Sequence, residues 1–278
     1  MAVAQRIIAT ILGCGSSGGV PRIGNDWGAC DPLEPRNRRR RCALLIEGWT
    51  DGVAEPTRVL IDTGCDLREQ LLHAGVDRVD AVLYTHEHAD HTHGIDDLRV
   101  LALHNRRRVD VYFTPACGAR LREAFGYCFE SPPGSDYPPI LTAHEIAPGA
   151  KLEIDGPGGT LEVSAFRQEH GNIDSLGFRI GGLAYCCDLS AFPPESFADI
   201  DGLDVWIIDA LRQTPHPSHL SLAETLDWIS RFPPRQAVLT DMHIDLDYAT
   251  LDAETPAHVT PAFDGMQIDV VTGTILNR

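Results

Sequence analysis

Asp80-Ala81-Val82-Leu83-Tyr84-Thr85-His86-Glu87-His88-Ala89-Asp90-His91 is the stretch that decides how this chain is read. Its first half is an apolar run of the kind that forms a buried strand, and Thr85 marks the end of that run. Its second half places three histidines and one aspartate within six residues. Ligands that begin where a strand stops sit on a loop anchored by a rigid element, so several imidazoles converge without ordering a floppy segment. Imidazole with carboxylate suits Zn²⁺, Mn²⁺ or Fe²⁺, and four such donors so close together exceed what one tetrahedral ion needs from a single segment. The stretch reads as a site for two divalent metal ions rather than as a polar surface loop.

The same design, an apolar strand followed by a polar side chain, recurs along the chain. Strand patterns over residues 57–61, 161–167, 183–187, 204–209 and 236–240 run into Asp62, His170, Asp188, Asp209 and the segment Asp241-Met242-His243. Repeated strand endings of this kind predict that one sheet edge carries the chemistry. Further strands are expected over 7–12, 42–47, 109–113, 176–180 and 266–271, and helices over 67–74, 95–103, 119–125 and 222–229. Residues 127–139, with Phe129, Tyr137 and four prolines, read as an ordered loop able to wall a pocket. No internal repeat or linker interrupts the pattern, so a single domain over residues 1–278 is expected.

The order His86-x-His88-x-Asp90-His91 resembles the signature of the metallo-β-lactamase superfamily of metal-dependent hydrolases. The resemblance implies an α/β fold, an αβ/βα sandwich of two mixed β-sheets flanked by helices, with a dinuclear centre at one edge. It implies that His86, His88 and His170 hold one metal, Asp90 and His91 hold the other, and Asp188 bridges them. In that pattern the last ligand is a histidine directly after Leu-Thr. Here Leu239-Thr240 is followed by Asp241, and the histidine comes two residues later at His243. His243 is the favoured metal ligand, because imidazole suits these metals and the loop can bulge. Asp241 is the alternative, and a carboxylate there favours a harder ion such as Mn²⁺. Asp62 is expected to hydrogen-bond a ligand imidazole and set its tautomer. His219, in Ser218-His219-Leu220-Ser221, matches the histidine that assists phosphate in related phosphodiesterases, which implies a catalytic and substrate-binding role beside Asp90. The bland role for that segment is to cap the following helix through Ser218 or Ser221.

Gly13-Cys14-Gly15-Ser16-Ser17-Gly18-Gly19-Val20-Pro21 lacks the Lys-Ser/Thr of a nucleotide-binding P-loop and reads as a turn beneath the metal site. Arg36-Asn37-Arg38-Arg39-Arg40-Arg41 stands out in an acidic chain. Guanidinium matches phosphate in bidentate fashion, so Arg39 and Arg40 are candidate substrate-binding residues, with a solvated loop as the plainer reading. Together these segments most resemble the cyclic phosphodiesterases of phosphonate breakdown. That branch adds a structural zinc held by three cysteines and a late histidine. Asn25 and Trp27 stand where two of those cysteines belong, only Cys30 remains, and Ile244 takes the histidine's place when Asp241 is aligned with the last ligand, so no structural zinc is expected.

With 40 acidic against 23 basic residues the net charge is −17. Such a chain repels polyphosphate at long range, which argues against extended nucleic acid as a partner. No apolar run approaches a membrane span. Eight cysteines without a Cys-x-x-Cys pair fit free thiols in a reducing cytoplasm. The expected function is a dinuclear-metal phosphodiesterase that hydrolyses a small phosphate ester, a ribose cyclic phosphate or nucleotide, with hydroxide generated at two divalent ions. Zn²⁺ or Mn²⁺ is expected, with Fe²⁺ as a further candidate. A tRNA 3′-processing endonuclease, a thioester hydrolase and a non-enzymatic metal- or ligand-binding protein are the alternatives. The oligomeric state, a homodimer among the options, is left open by the sequence.

Overall fold

The structure, a computed structural model, describes residues 1–277. The first part of the chain forms β1 (Arg6–Gly13), β2 (Ala43–Trp49), β3 (Thr57–Ile61), α1 (Leu67–Ala74), β4 (Ala81–Leu83) and α2 (Ala89–Thr92). α3 (Leu98–Asn105), β5 (Val109–Phe113), α4 (Pro115–Phe129), β6 (Leu141–Glu145), β7 (Lys151–Gly156), β8 (Gly159–His170), β9 (Ile173–Ile180) and β10 (Leu183–Cys186) follow. The chain continues through α5 (Phe197–Ile200), β11 (Val205–Asp209), α6 (Leu222–Arg231), β12 (Gln236–Thr240) and α7 (Tyr248–Glu254). It closes with β13 (Val259–Pro261), β14 (Gln267–Asp269) and β15 (Thr274–Ile275).

Two mixed sheets result, ordered β15-β14-β1-β2-β3-β4-β5-β6 and β13-β12-β11-β10-β9-β8-β7. In each, one half is antiparallel and the other parallel, with β3 to β6 and β10 to β13 making the parallel runs. The period-two alternation of a strand explains the layering. Leu44 and Ile46 of β2, Val59 and Ile61 of β3, and Ala81 and Leu83 of β4 join the large core shared with the second sheet. Their neighbours Leu45, Leu60 and Val82 face the other way, against Leu67 and Leu71 of α1, Leu98 of α3 and Leu121 of α4. Both faces of these strands are buried, which is why they read as continuous apolar runs. The expected sandwich of two helix-flanked mixed sheets is the observed fold.

Helix ends follow from local chemistry. α1 stops at Gly75, whose φ of 66° suits a residue without Cβ and whose N–H reaches the Leu71 carbonyl. α6 starts with a capping box: Ser221 Oγ accepts from Glu224 N, and the Glu224 carboxylate accepts from Ser221 N at 2.8 Å. Thr225 Oγ1 also donates to the Asp209 carbonyl at 2.6 Å, tying this helix to the end of β11. Thr114 caps α4 and Pro115 opens it, so the helix runs beyond the expected 119–125 and takes in residues 127–129. The rest of the proline-rich loop borders a separate surface pocket with Arg99, Tyr127 and Tyr137, away from the metal residues. Among the described residues no helix is long and apolar enough to cross a membrane.

Ser221 fixes the segment that carries His219. Ser221→Ala is expected to cost about 1 kcal/mol of stability, the usual worth of such a cap. Urea denaturation measures it, and an unchanged midpoint would show that the tie through Thr225 suffices alone.

Candidate metal centre

β3, β4, β8, β10, β11 and β12 all end at the same edge of the sandwich, and each delivers a polar residue there. Asp62, Asp188 and Asp241 adopt φ values of 66°, 50° and 58°. Left-handed backbone is uncommon outside glycine and is tolerated best by short polar side chains such as Asp. The turn it makes at each strand end directs Asp188 and Asp241 into one small, buried volume and Asp62 onto the back of His91.

His86, His88, His170 and Asp188 place one donor atom each within 4.8 Å of one another. His88 Nδ1 lies 2.9 Å from His86 Nε2 and 3.4 Å from His170 Nε2. Asp188 Oδ2 lies 3.6 Å and 3.7 Å from those two Nε2 atoms. The other oxygen of Asp188, Oδ1, faces His91 Nε2 at 3.2 Å, and Asp90 Oδ2 lies 3.5 Å from the same nitrogen. One buried carboxylate thus presents an oxygen to each of two clusters. A further group unites Asp188, His219 and Asp241.

Hydrogen bonds behind the ligands orient them. Asp62 accepts from Thr85 N at 2.9 Å, Thr85 Oγ1 at 2.8 Å and His91 Nδ1 at 2.8 Å. His86 Nδ1 lies 3.0 Å from Thr85 Oγ1, and His170 Nδ1 donates to the Ser218 carbonyl at 2.7 Å. With each Nδ1–H engaged, the Nε2 lone pairs of His86, His91 and His170 are left to point inward. A side chain at Gly64 would place its Cβ 2.0 Å from the Asp90 carbonyl, so only glycine lets the ligand loop dock this closely.

The residues present fit a divalent cation. His91 Nε2, Asp188 Oδ1 and Asp241 Oδ2 are buried and complete no hydrogen bond. Unsatisfied buried polar atoms are costly unless something pairs with them, and three that converge call for a cation. Burial holds His86 well below its ordinary pKa and lowers His170, so both stay neutral and able to ligate. Burial, with the Asp188 charge beside it, pushes the Asp241 carboxyl well above its usual range.

His219 sits just outside this set. Its Nδ1 is 3.0 Å from Asp209 Oδ2 and 3.1 Å from Asp241 Oδ2, while Nε2 lies 3.9 Å from Asp188 Oδ2. Burial disfavours its charged form, yet the Asp209 and Asp241 carboxylates against Nδ1 outweigh that and push its pKa up to about 12.

The strand-end aspartate, Asp241, rather than His243, is the one brought into the buried cluster. Met242 N donates to the Cys14 carbonyl at 2.9 Å and His243 N to the Leu211 carbonyl at 2.9 Å, which turns His243 out to the rim. There its Nδ1 meets Asp245 Oδ1 at 2.5 Å and its Nε2 meets the Arg22 guanidinium. The arginine run also departs from expectation. Arg39 is 2% exposed and donates to the Leu246 carbonyl at 2.7 Å and the His243 carbonyl at 3.3 Å. Arg40 pairs with Asp264 at 2.9 Å and Arg41 with Asp66 at 2.9 Å. Local carboxylates and carbonyls claim these guanidinium groups, so Arg39 and Arg40 do not line the metal cleft. Arg22 and Arg212 line it instead, with Ser16, Ser17 and His216, around a cavity of about 310 Å³. Nothing in the sequence around Arg22 or Arg212 marks them; Asp209 was marked by its place at a strand end.

Two mixed sheets with a His/Asp cluster fit for divalent metal at their common edge are the architecture of the metallo-β-lactamase fold. The chain belongs to the beta-lactamase superfamily domain family, whose model matches residues 57–244. A solved structure of a diphosphatase from the PhnP family superposes with a TM-score of 0.84 at 32% identity, covering 95% of this chain and 97% of that one. A protein of Porphyromonas gingivalis named octanoyltransferase is 33% identical over 262 residues, 92% of this chain and 50% of that protein. A ribonuclease Z of Methanopyrus kandleri is 32% identical over 149 residues, 52% of this chain and 46% of the relative. The chain spans about half the length of these curated relatives.

Asp62→Asn keeps an acceptor but weakens the bond that orients His91. It is expected to reduce divalent-metal affinity roughly 10–100-fold with the fold intact, as loss of such supporting partners usually does. Competition against a chromophoric chelator measures this; unchanged affinity would mean that His91 is oriented without Asp62.

Proposed function

We propose that the protein is a dinuclear-metal phosphodiesterase acting on a small phosphate ester such as a ribose cyclic phosphate or nucleotide. The observation that carries this is Asp188, with Oδ2 toward His86 and His170 and Oδ1 toward His91. In this reading His86, His88, His170 and Asp188 hold one cation, and Asp90, His91, Asp188 and Asp241 hold the other. Zn²⁺ and Mn²⁺ are the candidate ions. When bound, such a pair supplies an activated water and neutralises charge on the phosphoryl oxygens. The likeness to a diphosphatase over nearly the whole chain and to a ribonuclease over half of it supports phosphate-ester chemistry.

The chain's own groups supply the rest. The carboxylates of Asp209 and Asp241 against Nδ1 keep His219 an imidazolium, so Nε2 also carries a proton and offers it to a departing alkoxide in the cleft. Arg22, against His243 Nε2, and Arg212, on the Thr214 and Pro215 carbonyls, border the cleft, and their remaining N–H groups are the cationic donors there for an anionic substrate. A cavity of about 310 Å³ accommodates one nucleotide-sized group, which favours a small ester over a folded RNA.

Asp90→Ala is expected to abolish hydrolysis of bis(p-nitrophenyl) phosphate while the chain stays folded, and full activity with full metal occupancy would sink its role. His219→Gln should lower kcat by about 10²–10⁴-fold with metal content unchanged, the usual worth of a general acid. Metal analysis beside the kinetics separates that outcome from simple loss of the centre. A wild-type protein that binds metal yet leaves phosphodiesters intact would overturn the proposed function.

A further inference from the structure

The two ligand sets differ in chemistry, and the difference comes from one residue. The first set offers three imidazole nitrogens, from His86, His88 and His170, and a single carboxylate oxygen from Asp188. The second offers one imidazole, His91, and the carboxylates of Asp90 and Asp188; Asp241 joins it through Asp188, in a group whose other member, His219, turns Nδ1 to the Asp241 and Asp209 carboxylates. A histidine in place of Asp241 would give the second set two imidazoles and two carboxylates and bring it closer to the first.

The backbone commits Asp241 to this place. Met242 pairs with Gly15 in a parallel bridge and its N–H is held by the Cys14 carbonyl, so Asp241 cannot slide outward to let His243 in. His243 is already engaged on both ring nitrogens, by Asp245 and Arg22. Behind Asp241, the buried thiol of Cys42 donates to Oδ1 at 3.8 Å. Oδ2, on the cluster side, is buried, has His219 Nδ1 as a neighbour at 3.1 Å and completes no further hydrogen bond.

We propose that the two positions select different metals: the nitrogen-rich position takes Zn²⁺, and the oxygen-rich position completed by Asp241 takes a harder divalent cation, Mn²⁺. Imidazole suits zinc, whereas carboxylate oxygens suit manganese, and raw affinity otherwise favours zinc at every nitrogen or oxygen site. Retaining manganese against zinc therefore requires a ligand set of this kind. The proposal rests on the dinuclear reading above and deepens it.

The test uses the full chain, stripped with chelator and reloaded with equal excesses of Zn²⁺ and Mn²⁺, then freed of loose ions. Elemental analysis should find about one of each metal per chain, with the electron paramagnetic resonance of bound Mn²⁺ retained. Asp241→His should convert the second position to zinc and lower the retained Mn²⁺ at least ~10-fold, with total metal unchanged. Asp241→Asn, which keeps shape and backbone preference, should lose the second ion and keep the first zinc; it serves if the histidine variant does not fold. Two zincs in the wild type, or Mn²⁺ retention indifferent to Asp241→His, would overturn the proposal. Two zincs with phosphodiester turnover would leave the proposed function standing. One zinc and one manganese without turnover would remove the function and leave the metal assignment.

Discussion

Everything at this sheet edge depends on keeping several carboxylates buried within a few ångströms of one another. Asp62, Asp188, Asp209 and Asp241 are each at most 3% exposed. Buried like charges raise one another's cost, and the chain lowers it by giving each carboxylate a different cationic or donor partner. Asp62 takes His91 and Thr85, Asp209 takes His219 and the Leu189 N–H, and Asp188 takes the converging imidazoles. Asp241 has only the Cys42 thiol on one oxygen and the edge of His219 near the other. The site is least satisfied where its ligand pattern is least symmetrical.

The parts of this arrangement visible in the sequence are those fixed by neighbours along the chain. β3, β5, β12 and α1 occupy the residues expected of them, because short runs of buried apolar residues leave little choice of period. β6, with Thr, His and Glu, is only partly buried, and β15 has two residues, so neither produces an apolar run to read. β13 ends in proline, which argues against a strand by itself yet is tolerated at an edge. α7 is short and held by the Asp247 cap, an end signal with little periodicity behind it.

What the sequence could not show is set by contacts between distant segments. The arginine run looks like a free anionic-ligand surface, but Asp264, which takes Arg40, lies 224 positions away. Whether Asp241 or His243 turns inward is likewise decided by Cys14 and Gly15, more than 220 residues earlier. Spacing arguments see the histidine and the strand end; they do not see the glycine-rich turn that pins the intervening methionine.

Arg39 shows how these two misreadings are linked. Its buried guanidinium joins the Leu246 and His243 carbonyls to Asn37 Oδ1, and Asn37 Nδ2 in turn reaches Asp247. The loop that seemed to reach for substrate instead clasps the segment leaving β12. Because Arg39 also pairs with Val20 through the backbone, the same clasp holds the glycine-rich turn against that segment. A guanidinium satisfies several carbonyls at once in a fixed planar fork, which a lysine does not do. One arginine buried among carbonyls thus sets where the loop after β12 lies, and with it which side chain, Asp241 or His243, is presented to the metal ions.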